Sequence, residues 1–391
     1  MNNKLLNNDV QQFIDKNLNN EPTKLILSGS PFPGISIQEI VEQIVSKKKC
    51  QKKLPAWFDT KEIYYPNKLN IEQTSSEITA NYKTSLISGS TLIDITGGFG
   101  VDSFFFSKNF DQVIHCEINP ELSKIVHHNY HKLQIENVTT IATNGLDYLD
   151  NNDVQYDWIY ADPSRRDENK GKVFLLEDCL PDIPSNLDKL FHHTDHILLK
   201  LSPILDITAT VNALKFIKEI HVVALHNEVK ELLFILEKNY KETPIIKTVN
   251  IKNDRYEEFE AKTNTMGSAT YSLVKNYLYE PNAAILKAGL FQEVSHQLKI
   301  DKLHINSHLY TSDILMDFPG RIFKIFGSSP YDKKKIIKLL PSKKANITTR
   351  NFPNTVAQIR KKTGIKEGGH IYLFFTTDLN NNRLVLFCEK L

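Results

Sequence analysis

Residues 90–106 read STLIDITGGFGVDSFFF. The first seven, Ser90 to Thr96, form a short, mostly apolar run of the kind that builds a buried strand. Gly97, Gly98 and Gly100 follow within four positions, so the backbone there can turn tightly and a ligand can approach the main chain. VDSFFFSKN then reads as a helix. A buried strand, a glycine turn and a helix in that order are the opening of many doubly wound domains, and other evidence must say whether this one holds a ligand.

Working outward, the same rhythm continues. ITANYKTSLI precedes the strand as a helix. QVIHCEIN is a second strand, PELSKIVHHNYHKL a helix, VTTIAT a third strand, YDWIYAD a fourth, HILLKLS a fifth and EIHVVAL a sixth. Strands separated by helical segments of ten or more residues specify a parallel sheet with helices on both faces. Ligands of such sheets sit at the carboxyl ends of the strands, near the switch point. Towards the N-terminus, SIQEIVEQIVSKKK places Ile37, Ile40, Val41 and Ile44 at helical spacing behind Ser36 as a cap. KKLPAWFDTKEIYYPNKLNIEQTSSE reads as an extended, proline-punctuated connector whose Trp57, Tyr64 and Tyr65 either stack on bases or anchor the segment to its neighbour. Beyond residue 280 the order becomes strand GRIFKIF, helix SPYDKKKIIKLLP, strand KANITTRN, helix PNTVAQIRKKTGI and a hairpin turning through Asn380–Asn382. That βαβαββ order suits a small α+β sheet with helices on one face. Three parts are therefore expected, at 1–75, 76–280 and 281–391.

Composition excludes several classes. At 391 residues, 41% apolar and 24% charged, the chain has the balance of a globular protein with proper cores. Cys50, Cys116, Cys179 and Cys388 are far apart without a C-x-x-C pair, which argues against a zinc site or a disulfide framework and for a reducing compartment. MNNKLLNNDVQQF lacks the apolar core of a signal peptide, and no run approaches a membrane span, so a cytoplasmic location is expected. The net charge of +2 conceals an asymmetry. Residues 281–391 carry 18 Lys and Arg against 8 Asp and Glu, and the remainder 30 against 38. A basic C-terminal third suggests a module for a polyanion such as RNA, with Lys333, Lys334 and Lys361 among its candidate contacts. The plainer alternative is a solvated lysine-rich surface.

Two details narrow the ligand of the glycine loop. Asp94 lies inside the strand, three residues before the glycines, where a carboxylate can orient the loop and a cationic ligand. Glu117 ends the next strand, 23 residues later, where an acid can hold both ribose hydroxyls. A pyrophosphate fits poorly, because the third glycine of G-x-G-x-x-G is not clear and Asp102 near the helix start would repel phosphate. S-adenosylmethionine, a nucleoside without phosphates, fits Asp94, Thr96, Gly97, Gly98, Gly100 and Glu117. Asn144, preferred by spacing, and Asp147 of TNGLD are candidates for the adenine edge, with Asp147 alternatively opening the next helix.

The fourth strand delivers Asp162 and Pro163 to the same rim, in YADPSRRDE. Amino methyltransferases commonly carry D/N/S-P-P-aromatic here: the polar side chain and the following carbonyl accept hydrogen bonds from the target amine, and the ring stacks on the base. Positioning then does most of the catalysis. Ser164 replaces the second proline and Arg165 the aromatic residue. A guanidinium can stack on a base or grip a phosphate, so Arg165 joins Asp162 and Pro163 as catalytic candidates and Arg166 is a substrate candidate. The alternatives are a fork between Asp162 and these arginines, or pairing of the arginines with Asp167 or Glu177. His127 and His128 lie on a helix without metal-ligand partners and read as structural; no metal is expected.

EQTSSEITANYK, DITGGFGVDS, CEINP, DPSRR and LLKLSPILD, in this order, resemble bacterial class I S-adenosylmethionine-dependent methyltransferases bearing a C-terminal THUMP-like domain. The resemblance extends through TTRNFPNTVAQIRKKTGIKEGGHIYLF and covers roughly residues 50–391. It implies a Rossmann-like methyltransferase domain after an N-terminal helical segment, a C-terminal α+β, ferredoxin-like THUMP-like domain, and an RNA-directed role on tRNA or rRNA. More distantly, SSEITANY resembles the T-P-E-x-I-A element of trimethylguanosine synthases, which by similarity places Ser75, Ser76 and Glu77 at the border of the cofactor pocket. The departure at Ser164 and Arg165 means the methylated atom is not carried over; a base nitrogen is the expectation. A non-catalytic RNA-binding protein that keeps the fold, and a methyltransferase for a small molecule or protein, are the competing readings.

Overall fold

The computed structural model describes residues 1–165, 175–253, 255–263 and 267–391, with the backbone alone at Arg165. The chain divides into two compact units, one of residues 1–218 with 233–241 and the other of 219–232 with 242–391.

The first unit is organised around β1 (Gly89–Asp94), β2 (Phe110–Cys116), β3 (Val138–Ile141), β4 (Trp158–Ala161) and, after a two-residue pairing of β5 (Ser164–Arg165) with β6 (Cys179–Leu180), β7 (His196–Leu201). The strand order is β7-β4-β1-β2-β3, and every pairing in that run is parallel. The order reverses between β1 and β4, which puts the ligand cleft of such a sheet beyond their carboxyl ends. Helices Val101–Phe106, Pro120–Lys132, Gly145–Asp150 and Ile183–His193 make the connections. The β1 strand and its glycine turn are where the sequence places them.

The N-terminal helix Ile37–Lys53 begins with Ser36 accepting a hydrogen bond from the Glu39 N–H while the Glu39 carboxylate accepts from the Ser36 N–H. Ile37, Ile40, Val41 and Ile44 are buried on one side of it, as the spacing predicts. The connector is not extended. It forms short helices Pro55–Asp59 and Lys68–Gln73, and Trp57 and Tyr65 are fully buried among Phe99, Phe104 and Val126. Those aromatics are core, which removes them as base-stacking surfaces; Tyr64 is partly buried against the same cluster.

Four strands follow in the middle of the chain, of which sequence reading recognised only the first: β8 (Ile217–Leu225), β9 (Glu228–Glu237), β10 (Ile245–Lys252) and β11 (Arg255–Lys262). In the second unit β8 pairs parallel with β10, and β10 antiparallel with β11. The same unit holds a seven-stranded sheet of β12 (Tyr277–Pro281), β13 (Asp301–Lys302), β14 (Tyr310–Ser312), β15 (Gly320–Pro330), β16 (Asn346–Thr349), β17 (Ile371–Thr377) and β18 (Arg383–Lys390), in the order β13-β14-β12-β15-β18-β17-β16. Its last four strands and the helices Lys333–Leu339 and Val356–Thr363 reproduce the expected βαβαββ order. Side chains alternate across a strand. Leu373, Phe375, Val385 and Phe387 therefore pack with Ile336 and Ile359 of the two helices, while Phe374, Leu386 and Cys388 face Leu278, Leu303 and Phe323. Both faces are covered, which is why these strands are nearly continuous apolar runs. The four cysteines are buried and none is in a disulfide. Among the described residues no helix is long and apolar enough to cross a membrane, and no cluster of His, Cys, Asp and Glu could hold a metal ion.

Candidate functional site

Parallel register sets the site. Asp94 of β1 stands level with His115 of β2 and Tyr160 of β4. Two residues further on, the chain reaches Thr96 on one side and Asp162 on the other, and the Asp162 N–H donates to Thr96 Oγ1 at 2.7 Å. Thr96 in turn donates its own N–H to Asp94 Oδ1 at 3.0 Å. The glycine loop and the Asp-Pro corner are thus joined through one threonine. Asp94 is buried, with Oδ2 accepting from the Ser103 hydroxyl at 2.6 Å. Burial pushes its carboxyl up to about 7, against the hydrogen bonds from Ser103 and Thr96 and with the nearby Asp102 and Asp162 charges.

Each loop glycine answers a separate demand. Gly97, whose N–H donates to the Cys116 carbonyl at 2.8 Å, lies so close over the His115 ring that a Cβ would overlap it. Gly100 has φ +77° and leaves no room for a Cβ beside Tyr130, whose hydroxyl donates to the Gly100 carbonyl at 2.7 Å. Gly98 has φ +58° and almost nothing where a Cβ would point, so its glycine serves conformation and leaves an open surface above the loop. The Gly98 N–H donates to Glu117 Oε2 at 2.8 Å, and the Asn119 N–H donates to Oε1 at 2.7 Å. A carboxylate offers about four lone-pair sites; two are engaged, leaving Glu117 able to accept from two vicinal hydroxyls. Burial raises its carboxyl above the ordinary range.

After β3, Asn144 caps the helix Gly145–Asp150, its side chain accepting from the Leu146 N–H at 2.9 Å. Asp147 is exposed in the first turn of that helix. Gly145, not singled out from sequence, meets the backbone of Ile95 where any Cβ would sit, so the segment after β3 closes directly against the end of β1.

Ser75 is buried and donates to Asp102 Oδ2 at 2.9 Å; Tyr160 donates to the same oxygen at 2.7 Å, and Lys83, completely buried, stands 3.2 Å from Oδ1. Burial alone would raise Asp102. The charges of Lys83 and Lys200 and the hydrogen bonds of Tyr160 and Ser75 outweigh it and hold the carboxyl below its ordinary value. Because Lys83 compensates its charge, Asp102 does not repel an anion as a free carboxylate would, which weakens that argument against phosphate. Ser76 caps the helix Glu77–Leu86 with Thr79. Glu77 is turned to the connector, accepting from the Ala56 N–H at 2.6 Å.

At the reactive corner, Asp162 is 34% exposed and its Oδ2 accepts from Lys200, which is 11% exposed. Pro163 is buried and Ser164 exposed. The described partner of Asp162 is therefore a lysine of β7; the alternative of a fork with Arg165 or Arg166 falls outside the described residues. The Arg165 side chain, Arg166 and Asp167 lie outside the described residues. Sequence reading missed Lys200, yet a signal existed: HILLKLS is a buried strand with one cation, and the last paired residues Ala161 and Leu199 put the next positions, Asp162 and Lys200, side by side. His115 left no such trace; among the described residues neither of its buried ring nitrogens has an aligned hydrogen-bond partner, and burial lowers it to about 4. His127 and His128 contact Thr140 Oγ1 at 3.1 Å and the Glu62 carbonyl at 2.8 Å. In the second unit Lys333, Lys334 and Lys361 are exposed on the helices Lys333–Leu339 and Val356–Thr363.

The first unit is thus a class I methyltransferase fold with an acid-ended second strand and a glycine loop at its switch point. Family models match residues 277–390: a ferredoxin-like domain at residues 277–319 and a THUMP domain-like one at 320–390. Over the whole length the chain is similar to a crystal structure described as a "putative methyltransferase from Porphyromonas gingivalis W83", with 31% identity, a TM-score of 0.89, and coverage of 100% of this chain and 98% of that one. The chain belongs to this family, class I methyltransferases that bear a C-terminal THUMP-like domain. Partial matches include the M. jannaschii tRNA m1G37 methyltransferase (13% identity, TM-score 0.31, 43% of this chain and 51% of that one). Another is a "putative RNA methyltransferase" from Pyrococcus horikoshii (13% identity, TM-score 0.34, 49% of this chain and 98% of that one). At those scores they add nothing about this chain. No curated protein matches it.

Proposed function

We propose that the protein transfers a methyl group from S-adenosylmethionine to a base nitrogen of a structured RNA, a tRNA or rRNA. The observation that carries this reading is the hydrogen bond from the Asp162 N–H to Thr96, which ties a strand-end acceptor to the glycine loop. In this reading Glu117 takes the ribose hydroxyls with its two remaining acceptor sites. Asp94, Thr96, Gly97, Gly98 and Gly100 shape the floor beneath the amino acid end, Asn144 and Asp147 border the adenine, and Ser75 and Glu77 close the rim. The cofactor supplies a methyl group on a good leaving group, so no strong base or metal is called for. Lys200 occupies Oδ2 of Asp162 and leaves Oδ1 to accept from the target amine, with the Pro163 carbonyl as the second acceptor. The amine lone pair is then held in one direction, and orientation provides most of the acceleration. Arg165 and Arg166 follow as stacking or phosphate contacts.

The THUMP domain-like segment and the positive charge of residues 281–391 support RNA as the substrate, with Lys333, Lys334 and Lys361 on its backbone. The division of labour is then a buttress at 1–75, catalysis at 76–280 and an RNA grip at 281–391. Asp162→Ala tests the reading: methyl transfer to total tRNA or rRNA, read by mass spectrometry of nucleosides, should disappear while calorimetric binding of S-adenosylmethionine persists. Retained turnover in the variant, or no methylated nucleoside with the wild type, would reject it.

A further inference from the structure

We propose that Arg321 and Arg350 form a clamp for an RNA phosphodiester, held in readiness by the buried carboxylate of Glu280. The inference rests on the RNA reading above and adds to it a site outside the lysine helices. Glu280 is opposite Arg321 across β12 and β15, and its side chain is only 3% exposed. Arg321 donates from Nε to Glu280 Oε2 at 2.7 Å and from Nη2 to the same oxygen. Arg350 brings Nη2 to 2.7 Å from the other oxygen, Oε1.

One guanidinium suffices to neutralise a buried carboxylate. Two leave a net positive charge, and both are accessible, at 33% for Arg321 and 36% for Arg350. The two are not held alike. Among the described residues Glu280 Oε1 receives no aligned hydrogen bond, so the ion pair with Arg350 is the looser of the two. Its one aligned side-chain bond is from Nη1 to the neighbouring Thr349 carbonyl at 3.1 Å. Turning it towards a second anion therefore gives up one ion pair with the acid but no aligned hydrogen bond to it. Each guanidinium has five N–H donors. Arg321 commits two to Glu280 and Arg350 directs one at Glu280 and one at Thr349, so most of the fork remains for the non-bridging oxygens of a phosphate, the geometry in which arginine surpasses lysine.

The surroundings keep the clamp positive and preformed. The Arg350 N–H donates to the Phe375 carbonyl at 3.0 Å, and the amide of Asn351, at φ +50°, meets His304 Nδ1 at 2.9 Å. His308, stacked on Phe291 at 3.5 Å, is held down to about 4 by burial together with the Lys302 and Arg350 charges. Glu280 comes from the ferredoxin-like segment and both arginines from the THUMP domain-like one, so the clamp exists only where the two are folded together.

The test uses the full-length protein with end-labelled total tRNA and, in parallel, labelled rRNA fragments, in anisotropy titrations across a salt series. Arg350→Gln should weaken binding roughly five- to tenfold at moderate salt and reduce the slope of log K against log salt by about 0.7 to 0.9, one phosphate contact. Arg350→Lys keeps the charge beside Glu280 and the fold, loses the fork, and should weaken binding about threefold with the slope unchanged. If the wild type binds and both variants match it in affinity and slope, the clamp is refuted and the RNA reading stands. If the wild type does not bind tRNA or rRNA at all, both fall.

Discussion

Asp94→Asn should make the free protein more stable at neutral and alkaline pH. Asp94 is 1% exposed, and burial lifts its carboxyl from an ordinary 3.8 to about 7. That rise corresponds to about 4 kcal/mol against keeping it ionised. Because the folded value lies above the unfolded one, the stability from this group is complete below about pH 4 and is lost as pH rises through about 7. Asparagine imitates the protonated acid. Its oxygen can accept from the Thr96 N–H, and its amide can donate to Ser103, whose hydroxyl now donates to the carboxylate. Rearranging that bond costs about 1 kcal/mol, so the variant should gain about 3 kcal/mol at pH 8 and lose up to about 1 kcal/mol at pH 4.

The two tryptophans, Trp57 and Trp158, both belong to the first unit, so urea unfolding followed by intrinsic fluorescence reports on the unit that holds Asp94. His115 titrates in the opposite sense. Its value of about 4 lies below the ordinary 6.5, so its contribution is complete above about 6.5 and is lost as pH falls through about 4. The difference between wild type and variant, not either curve alone, is therefore the quantity to read. A variant less stable than the wild type at pH 8, or a difference that does not change between pH 4 and 8, would refute the reasoning. The same substitution should weaken S-adenosylmethionine binding, since the loop loses its charged anchor.

Two further outcomes follow from the packing around the loop. Gly97→Ala should destabilise the first unit by about 2 kcal/mol, because the new methyl overlaps a ring with nowhere to retreat. Adding His115→Ala should recover most of the loss, and a double-mutant cycle of urea midpoints with no coupling would disprove the contact. Lys200→Met should lower kcat for methyl transfer about ten- to a hundredfold, the worth of one charge-assisted hydrogen bond, while calorimetric cofactor affinity stays near wild type. Lys200→Arg should restore part of the rate; full activity in Lys200→Met would remove the lysine from the mechanism.

The parts of this molecule that were legible in the sequence are those in which a residue's neighbours along the chain determine its role. Thr96 and the three glycines follow an apolar strand, and Glu117 directly follows the next one, so their positions at the carboxyl rim follow from periodicity alone. The helix from Ile37 was legible because a capping box and an apolar stripe are both local. The connector around Trp57 and Tyr65 was misread as extended because its prolines break periodicity, while the burial that anchors these aromatics is decided by Phe99 and Phe104, more than thirty residues away. Partners across the fold were illegible for the same reason. Lys83, Lys200 and His115 are polar residues in segments that otherwise read as core, and nothing nearby says whether a cation there is an error in the reading or half of a pair. The structure answers with Asp102 and Asp162 for the two lysines, but, among the described residues, with no aligned hydrogen-bond partner for His115. A polar residue inside an apolar strand should accordingly be treated as one end of a contact to be found at the matching depth of the adjacent strand. Applied to HILLKLS beside YDWIYAD, that rule leads from Lys200 to Asp162 without coordinates.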